Sequence, residues 1–282
     1  MVIGIVAVIA AILSAVICAG TGSFQSFAWL WVLPVGWLGA FLGVILLVFV
    51  LVLIMTALVD LDKEQKKDNA LYRKVMYMIA DAAHTVLQVK VKSTGVEKIP
   101  TDGRVLLVCN HLDNCDPVII FHQVKKRQKL AFIAKREVAS MFVVGKFMHK
   151  ILCQRVNREN DREALKTILK CIEIIKEDKA SIAVFPEGGI RGGNVLHPFR
   201  SGVFKIAQRT QVPIVVCTLW GTQTVFHNGL RLKPSYVDFH VLGVVQPEEY
   251  AGMTAVQIGN LVHAMMAEDL GPDRVLKVEE TP

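Results

Sequence analysis

The sequence predicts an α/β domain with a mixed, largely buried sheet flanked by helices, preceded by an N-terminal membrane-embedded helical hairpin. Two observations lead to this prediction. From about residue 87 onward, compact apolar runs alternate with stretches of helical spacing, and strands that alternate with helices build α/β sheets with buried faces. Before that, residues 1–59 contain no Asp, Glu, Lys, Arg or His. The whole formal charge of +7 therefore lies on the remainder of the 282-residue chain.

The hairpin prediction comes from two apolar stretches near the N-terminus. A helix needs about 20 apolar residues to cross a bilayer, and residues 2–19 and 38–59 meet that requirement. Residues 20–26 between them are polar and prone to turns, and three tryptophans at residues 29–37 suit a membrane interface. A cleaved signal peptide is the alternative for the first stretch, but no basic residue precedes it.

The orientation follows from the charges beyond the second stretch. Five basic residues lie between residues 63 and 74, and positive flanks stay on the cytoplasmic side. We expect a protein of the cell membrane whose folded domain faces the cytoplasm. Residues 60–86 form a connecting segment with an amphipathic helix from residue 65, whose basic side chains meet either an anionic membrane surface or solvent.

Residues 87–270 form the predicted α/β domain, and residues 271–282 a C-terminal tail. The apolar runs predict strands at residues 87–91, 105–109, 130–134, 181–185, 212–219 and 236–242. The helical patterns predict helices at residues 162–176, 203–208 and 254–269.

Other classes of function find little support in the composition. The six cysteines include no C-x-x-C pair, and with the histidines they lack the spacing of a metal site. The pI of about 9.1 would suit nucleic acid, but no recognition helix or stacking motif accompanies it. We expect neither a bound metal nor a bound cofactor.

A histidine and an aspartate lie at the exit of a predicted strand, in the segment Asn110-His111-Leu112-Asp113-Asn114-Cys115-Asp116-Pro117. His111 and Asp116 are too far apart around a helix, and on opposite faces of a strand, to meet unless the chain turns between them. A carboxylate that orients an imidazole makes it a general base for a hydroxyl. Alternatively, Asp116 is an ordinary helix N-cap before Pro117, or Cys115 is a nucleophile.

A second polar segment follows another predicted strand. Phe185-Pro186-Glu187-Gly188-Gly189-Ile190-Arg191-Gly192-Gly193 exposes a carboxylate, an arginine and four glycines. Arginine binds phosphate through two parallel hydrogen bonds, and Glu187 can accept a hydrogen bond from a substrate hydroxyl. Glycines allow close approach of the backbone to a ligand.

Together, N-H-x-x-x-x-D and F-P-E-G resemble the glycerophosphate acyltransferase superfamily, and in particular the family that acylates lysophosphatidic acid. Further blocks in the family's order extend the resemblance over about residues 85–245: A-K-R-E at residues 134–137, R-V-N-R at 155–158, F-R-S-G at 199–202 and V-P-I-V at 212–215. Two positions depart from the pattern. Leu152 or Cys153 replaces a common glycine, and Gly189-Ile190 separates the glutamate-glycine pair from Arg191.

The resemblance implies a reaction and a role for each residue. His111, oriented by Asp116, would deprotonate the sn-2 hydroxyl of lysophosphatidic acid as it attacks an acyl thioester of CoA or acyl-carrier protein, giving phosphatidic acid. The implied substrate-binding residues are Lys135, Arg158 and Arg191 for the phosphate, Glu187 for a hydroxyl, and the backbone near Gly188 for the oxyanion. The alternatives are an acyltransferase for glycerol 3-phosphate or another lysophospholipid, a hydrolase that activates water, and a non-catalytic lipid-binding membrane scaffold.

Overall fold

A computed structural model describes residues 2–157 and 160–276, which form two compact units, one ending at Asp62 and the other beginning at Lys63. The first unit is a hairpin of α1 (Val2–Gly20) and α2 (Trp29–Ala57) joined by a short 3-10 turn. Both helices are long and apolar enough to cross a membrane by length and composition. The predicted pair of apolar helices joined by a short turn is therefore confirmed.

Two side-chain hydrogen bonds connect the two helices of the hairpin. The Ser14 hydroxyl donates to the Leu33 carbonyl (2.7 Å), and the Trp37 indole N–H donates to the Ala7 carbonyl (3.1 Å). The second helix begins nine residues earlier than the sequence predicts, at Trp29 instead of residue 38. Pro34 lies inside it, near the N-terminal end, where its missing N–H removes one hydrogen bond without ending the helix.

The second unit is built on a seven-stranded sheet of order β1-β7-β6-β2-β5-β3-β4 in the described residues. Its strands are β1 (Val89–Thr94), β2 (Leu106–Cys109), β3 (Leu130–Lys135), β4 (Gln154–Val156), β5 (Ser181–Val184), β6 (Ile214–Trp220) and β7 (Ser235–Val245). Only the pairing of β6 with β7 is antiparallel among these strands. The mixed sheet and six of its strands are as predicted; β4 was not predicted because it is short and lacks an apolar run.

Helices cover both faces of this sheet. They are α3 (Ala70–Val86), α4 (Asp116–Val124), α5 (Arg136–Ala139), α6 (Val144–Lys150), α7 (Asp161–Lys176), α8 (Lys205–Thr210), α9 (Val225–Leu230) and α10 (Ala255–Leu270). One face packs on α7, α8 and α10 in a single apolar core. The other packs on α4, where Phe121 meets Phe132 of β3, and α3 packs on α4 from outside.

The connecting helix α3 differs from the prediction in its start and in its faces. It begins at Ala70, where the Asn69 side chain caps the first turn, and not at residue 65. The face turned toward the domain carries Tyr72, Arg73, Ala80 and His84. Arg73 is buried and fixed by Asp68 and by two backbone carbonyls of the domain.

Residues 271–276 of the predicted C-terminal tail contact the domain. Val275 forms a parallel bridge with Leu196, and the Arg274 guanidinium lies 3.9 Å from the centroid of the Trp220 ring. Residues 271–276 therefore pack beside two parts of the domain, the segment that follows the glycine-rich motif and the end of β6. Residues 277–282 lie outside the described residues.

Candidate active site

The site lies at the edge of the sheet where parallel strands β2, β5 and β6 end. His111 comes two residues after β2, and Phe185 comes directly after β5. Because parallel strands end at the same edge, the two polar segments seen in the sequence meet there.

The chain turns between β2 and α4, and this turn brings His111 to Asp116. His111 Nδ1 lies 2.8 Å from Asp116 Oδ2. Asp116 is the first residue of α4 and not its N-cap, a position taken by Cys115 without a side-chain hydrogen bond. The N-cap alternative is therefore wrong: the carboxylate points back into the turn that carries the histidine.

One oxygen of Asp116 accepts three hydrogen bonds from the turn that carries His111. Besides the imidazole, Oδ2 accepts the backbone N–H groups of Leu112 (2.7 Å) and Asp113 (2.9 Å). The carboxylate is fully buried and lies at the N-terminus of α4, where the helix dipole favours a negative charge. Since a carboxylate only accepts, Nδ1 of His111 carries the hydrogen and Nε2 is left as the basic nitrogen. The imidazole also stacks on Phe185, with ring centroids 4.1 Å apart.

Asn110 is a positioning residue whose role the sequence motif does not reveal. Its amide nitrogen donates to the Leu219 carbonyl (2.9 Å), and its amide oxygen accepts the Leu219 N–H (2.7 Å). The buried side chain thus continues the pairing of β2 with β6 by one more step. This fixes the backbone immediately before His111.

Glu187 accepts a hydrogen bond from the backbone of the same histidine. Its Oε1 accepts the His111 N–H (2.8 Å) and its Oε2 accepts the His197 N–H (3.0 Å). The side chain is 1% exposed. Burial raises the pKa of the Glu187 carboxyl, and the two N–H groups oppose that shift. The sequence predicts that Glu187 accepts a substrate hydroxyl, but the structure places both of its oxygens on backbone donors.

The glycines shape the loop around this carboxylate. Gly188 has φ of +81°, and a Cβ there would lie 2.8 Å from Arg200 Nε. The Gly188 N–H donates to the Phe185 carbonyl (3.2 Å). The Gly188 N–H therefore closes the turn, and the oxyanion role expected of the backbone near Gly188 stays a prediction for the N–H groups around it.

The phosphate-binding candidates differ in their placement. A cleft is lined by His111, Leu112, Ile190, Arg191, Gly192, Asn194, Val195 and His197. It brings Arg191 beside the histidine. Lys135 ends β3 and is exposed, with its ammonium 3.4 Å from Glu137, and it does not line this cleft. Arg158 lies outside the described residues.

The cysteine alternative does not fit the geometry. Cys115 is buried, and its thiol donates to the Thr222 carbonyl (3.5 Å). Burial raises the pKa of the Cys115 thiol, and the neighbouring Asp116 carboxylate adds to the effect. Because the thiolate is the nucleophilic form, Cys115 is a structural residue.

Comparison with known proteins identifies the family of the chain. A family model described as Acyltransferase matches residues 90–220. A probable 1-acyl-sn-glycerol-3-phosphate acyltransferase of Mycoplasma pneumoniae is 30% identical over 203 residues, which are 70% of this chain and 75% of that protein. The chain belongs to the 1-acyl-sn-glycerol-3-phosphate acyltransferase family. The region matched by the family model contains His111, Asp116 and Glu187.

More distant relatives agree with the assignment. A 1-acyl-sn-glycerol-3-phosphate acyltransferase of Cocos nucifera is 26% identical over 171 residues, 60% of this chain and 55% of that protein. The crystal structure of the 1-acyl-sn-glycerophosphate acyltransferase PlsC of Thermotoga maritima superposes with a TM-score of 0.60 at 24% identity. It covers 70% of this chain and 78% of its own. The α/β fold is thus shared with the family.

Proposed function

We propose that this chain transfers an acyl group from an acyl thioester to the sn-2 hydroxyl of lysophosphatidic acid, giving phosphatidic acid for phospholipid biosynthesis. One observation carries the proposal beyond the family resemblance. The imidazole of His111 is held by a buried carboxylate at 2.8 Å and faces the cleft that contains Arg191. The site therefore combines a base with a cation suited to phosphate.

The proposed reaction returns every proton without using a metal or a covalent acyl-enzyme. His111 Nε2 takes the hydroxyl proton while the hydroxyl oxygen attacks the thioester carbonyl carbon, and Asp116 stabilises the imidazolium that forms. The tetrahedral intermediate then expels the thiolate of the carrier, which takes the proton back from the imidazolium. The products are the ester and a free carrier thiol, and His111 is again neutral.

Arg191 is the best-placed group for the acceptor phosphate. It is exposed in the cleft beside His111, and a guanidinium binds phosphate through two parallel hydrogen bonds. Lys135 and Arg158 remain proposals for the same role. Lys135 ends a parallel strand at the same edge as His111, so it suits a phosphate that extends beyond the cleft.

The donor and the location complete the proposal. Either CoA or acyl-carrier protein supplies the thioester, since both are thiol carriers. The acceptor and the product are membrane lipids, which agrees with two helices apolar enough to cross a bilayer. The basic residues at 63–74 favour a cytoplasmic active site beside an anionic membrane surface.

The test is an assay of the purified full chain in phospholipid vesicles. It is supplied with a labelled acyl thioester and, in parallel, lysophosphatidic acid, glycerol 3-phosphate and an unphosphorylated monoacylglycerol. We expect labelled phosphatidic acid from the first acceptor, and its absence with His111→Ala. Free labelled fatty acid as the sole product would indicate a hydrolase, and preference for another acceptor would reassign the substrate. No turnover with any of them would favour a non-catalytic scaffold.

A further inference from the structure

Helix α3 turns an apolar row toward solvent. Leu71, Val75, Met78, Ile79, Ala82 and Val86 fall within an arc of about 100° at 100° per residue. The face packed on the domain is centred roughly 150° away from the middle of this arc. Four members of the row are exposed, with Val86 at 60%. A helix on the surface of a soluble domain normally presents polar residues on that side.

Helix α9 adds apolar side chains to the same region. A Cβ on Gly229 would lie 2.6 Å from Leu87 Cδ2, so α9 lies directly against the end of α3. Next to it, the Gln88 amide donates to the Leu232 carbonyl (3.1 Å). Leu230 is 88% exposed and Leu232 is 77% exposed. We call this surface the α3–α9 face and define it by Met78, Ile79, Val86, Phe226, Leu230 and Leu232.

The α3–α9 face reaches the edge of the sheet that carries the active site. The first residue of β1, Val89, pairs with the first residue of β7, and the start of β7 pairs with the end of β6. The end of α3 and the whole of α9 therefore lie at the edge where His111 follows β2. An occupant of the face would therefore lie at the same edge of the sheet as the cleft.

The charges beside the face match a lipid surface. Leu230 and Leu232 alternate with Arg231 and Lys233, both exposed. Lys74, also exposed, borders the row on α3. Protruding apolar side chains flanked by basic ones are typical of elements that lie in the headgroup region of a membrane.

The chain also keeps this face close to a bilayer. Residues 58–69 join the end of α2 to the start of α3, and twelve residues reach at most about 40 Å when fully extended. If α2 spans the membrane, a tether of this length gives the face a high effective concentration at its surface. A protein partner from solution has no such advantage.

We propose that the α3–α9 face of the catalytic unit docks into the lipid headgroup layer, so that a lysolipid passes to the active-site edge without crossing water. The occupant is the bilayer itself, beyond any span of the N-terminal hairpin. The docking does not depend on the acyl-transfer reaction, because it is a property of the surface of the domain.

The first test places single reporter cysteines in the full chain at Val86, Leu230 and Leu232. Matched controls are Leu165→Cys and Leu169→Cys, at exposed apolar positions of α7 on the other side of the sheet. Each variant is labelled with an environment-sensitive fluorophore and reconstituted in vesicles of phosphatidylcholine and phosphatidylglycerol. Part of the lipid carries a nitroxide in the upper acyl chain. The labelled wild-type chain gives the background of the native cysteines.

We expect lipid nitroxides to quench the reporters of the face at least about twofold more than those on α7, because a docked face lies within the interface. Equal quenching at both sets of positions would overturn the proposal. So would blue-shifted reporters on the face that lipid nitroxides do not quench, because a second copy or the chain's own hairpin would then cover it. Since no turnover is measured, failure of the proposed reaction cannot imitate either result.

A second test rests on the proposed function. The double variant Leu230→Asp with Leu232→Asp should raise KM for vesicle-borne lysophosphatidic acid roughly tenfold, because two anchors become anionic. The kcat with detergent-dispersed substrate should stay as in the wild type. Leu165→Asp with Leu169→Asp should leave both values unchanged. A KM that stays at the wild-type value for the first variant would contradict the proposal.

Discussion

Replacing Glu187 by glutamine tests how the site is held together. The carboxylate accepts one backbone N–H on each oxygen, from His111 and from His197. Glutamine has one acceptor oxygen, and its NH₂ group must face the other N–H. In either orientation of the amide, one buried N–H loses its acceptor and meets a second donor. The side chain fits the same volume, so the change is electrostatic.

The magnitude follows from the lost hydrogen bond. Hydrogen bonds to charged groups contribute about 1.5–3 kcal/mol, and with Glu187 at 1% exposure solvent cannot replace the bond. If the bond holds His111 in its reactive position, the loss lowers kcat about 10- to 150-fold, since 1.36 kcal/mol corresponds to a factor of ten. The KM for lysophosphatidic acid should change little, because neither oxygen faces the cleft.

The assay compares initial rates and thermal unfolding of the wild type, Glu187→Gln and Glu268→Gln. Glu268 is exposed on α10, and its substitution controls for a general effect of charge. A raised KM with an unchanged kcat would refute the positioning role. It would restore the hydroxyl-binding role that the sequence predicts. A wild-type kcat and KM would show that neither role matters.

Four further predictions follow from the site and the chain. His111→Ala should lower kcat at least about a hundredfold while leaving the melting temperature near that of the wild type; retained turnover would exclude it as the base. Arg191→Ala should lower kcat/KM about 10- to 100-fold more for lysophosphatidic acid than for an unphosphorylated acceptor, with partial rescue by lysine; equal losses would remove it from phosphate binding. Protease added outside sealed, right-side-out cells should spare the domain beyond Lys63, and its digestion would reverse the topology. The pKa of Glu187 is raised in the folded state above its ordinary value of 4.5. The contribution of this carboxyl group to the free energy of unfolding is therefore complete below pH 4.5 and is lost as the pH rises through the raised pKa. The stability of the wild type relative to Glu187→Gln should therefore fall with pH in that window, and a rise would contradict the shift.

The sheet was predictable because its strands are buried on both faces. Strands β2, β5 and β6 are almost entirely apolar, with Ser181 and Thr218 as their polar members. Such runs are easily distinguished from the amphipathic pattern of the helices. Strand β4 escaped prediction because Gln154–Val156 is short, polar and half-exposed. Its pairing with β3 is a tertiary event that no local pattern reports.

The site was predictable in its residues but only partly in their roles. The spacing of His111 and Asp116 required a turn between them, and the structure has that turn. The roles of Asn110 and Glu187 depend on backbone groups that are distant along the chain, Leu219 for the first and His111 for the second. A side chain that binds backbone leaves no sequence signature in its partner, because every residue type carries an N–H and a carbonyl.

The apolar row of helix α3 was predicted from the sequence, but the sequence did not show whether the row faces the core or the solvent. Its spacing indicates an apolar row, and in a soluble domain that row would normally pack on the core. Here the domain binds the opposite face, where Arg73 ties the helix to Asp68 and to carbonyls of β3 and of the residue after α6. A buried charged pair with its hydrogen bonds satisfied orients the helix, since turning it would leave that charge without partners. The apolar row is thereby directed away from the core, which is the orientation that the proposed docking into the headgroup layer requires.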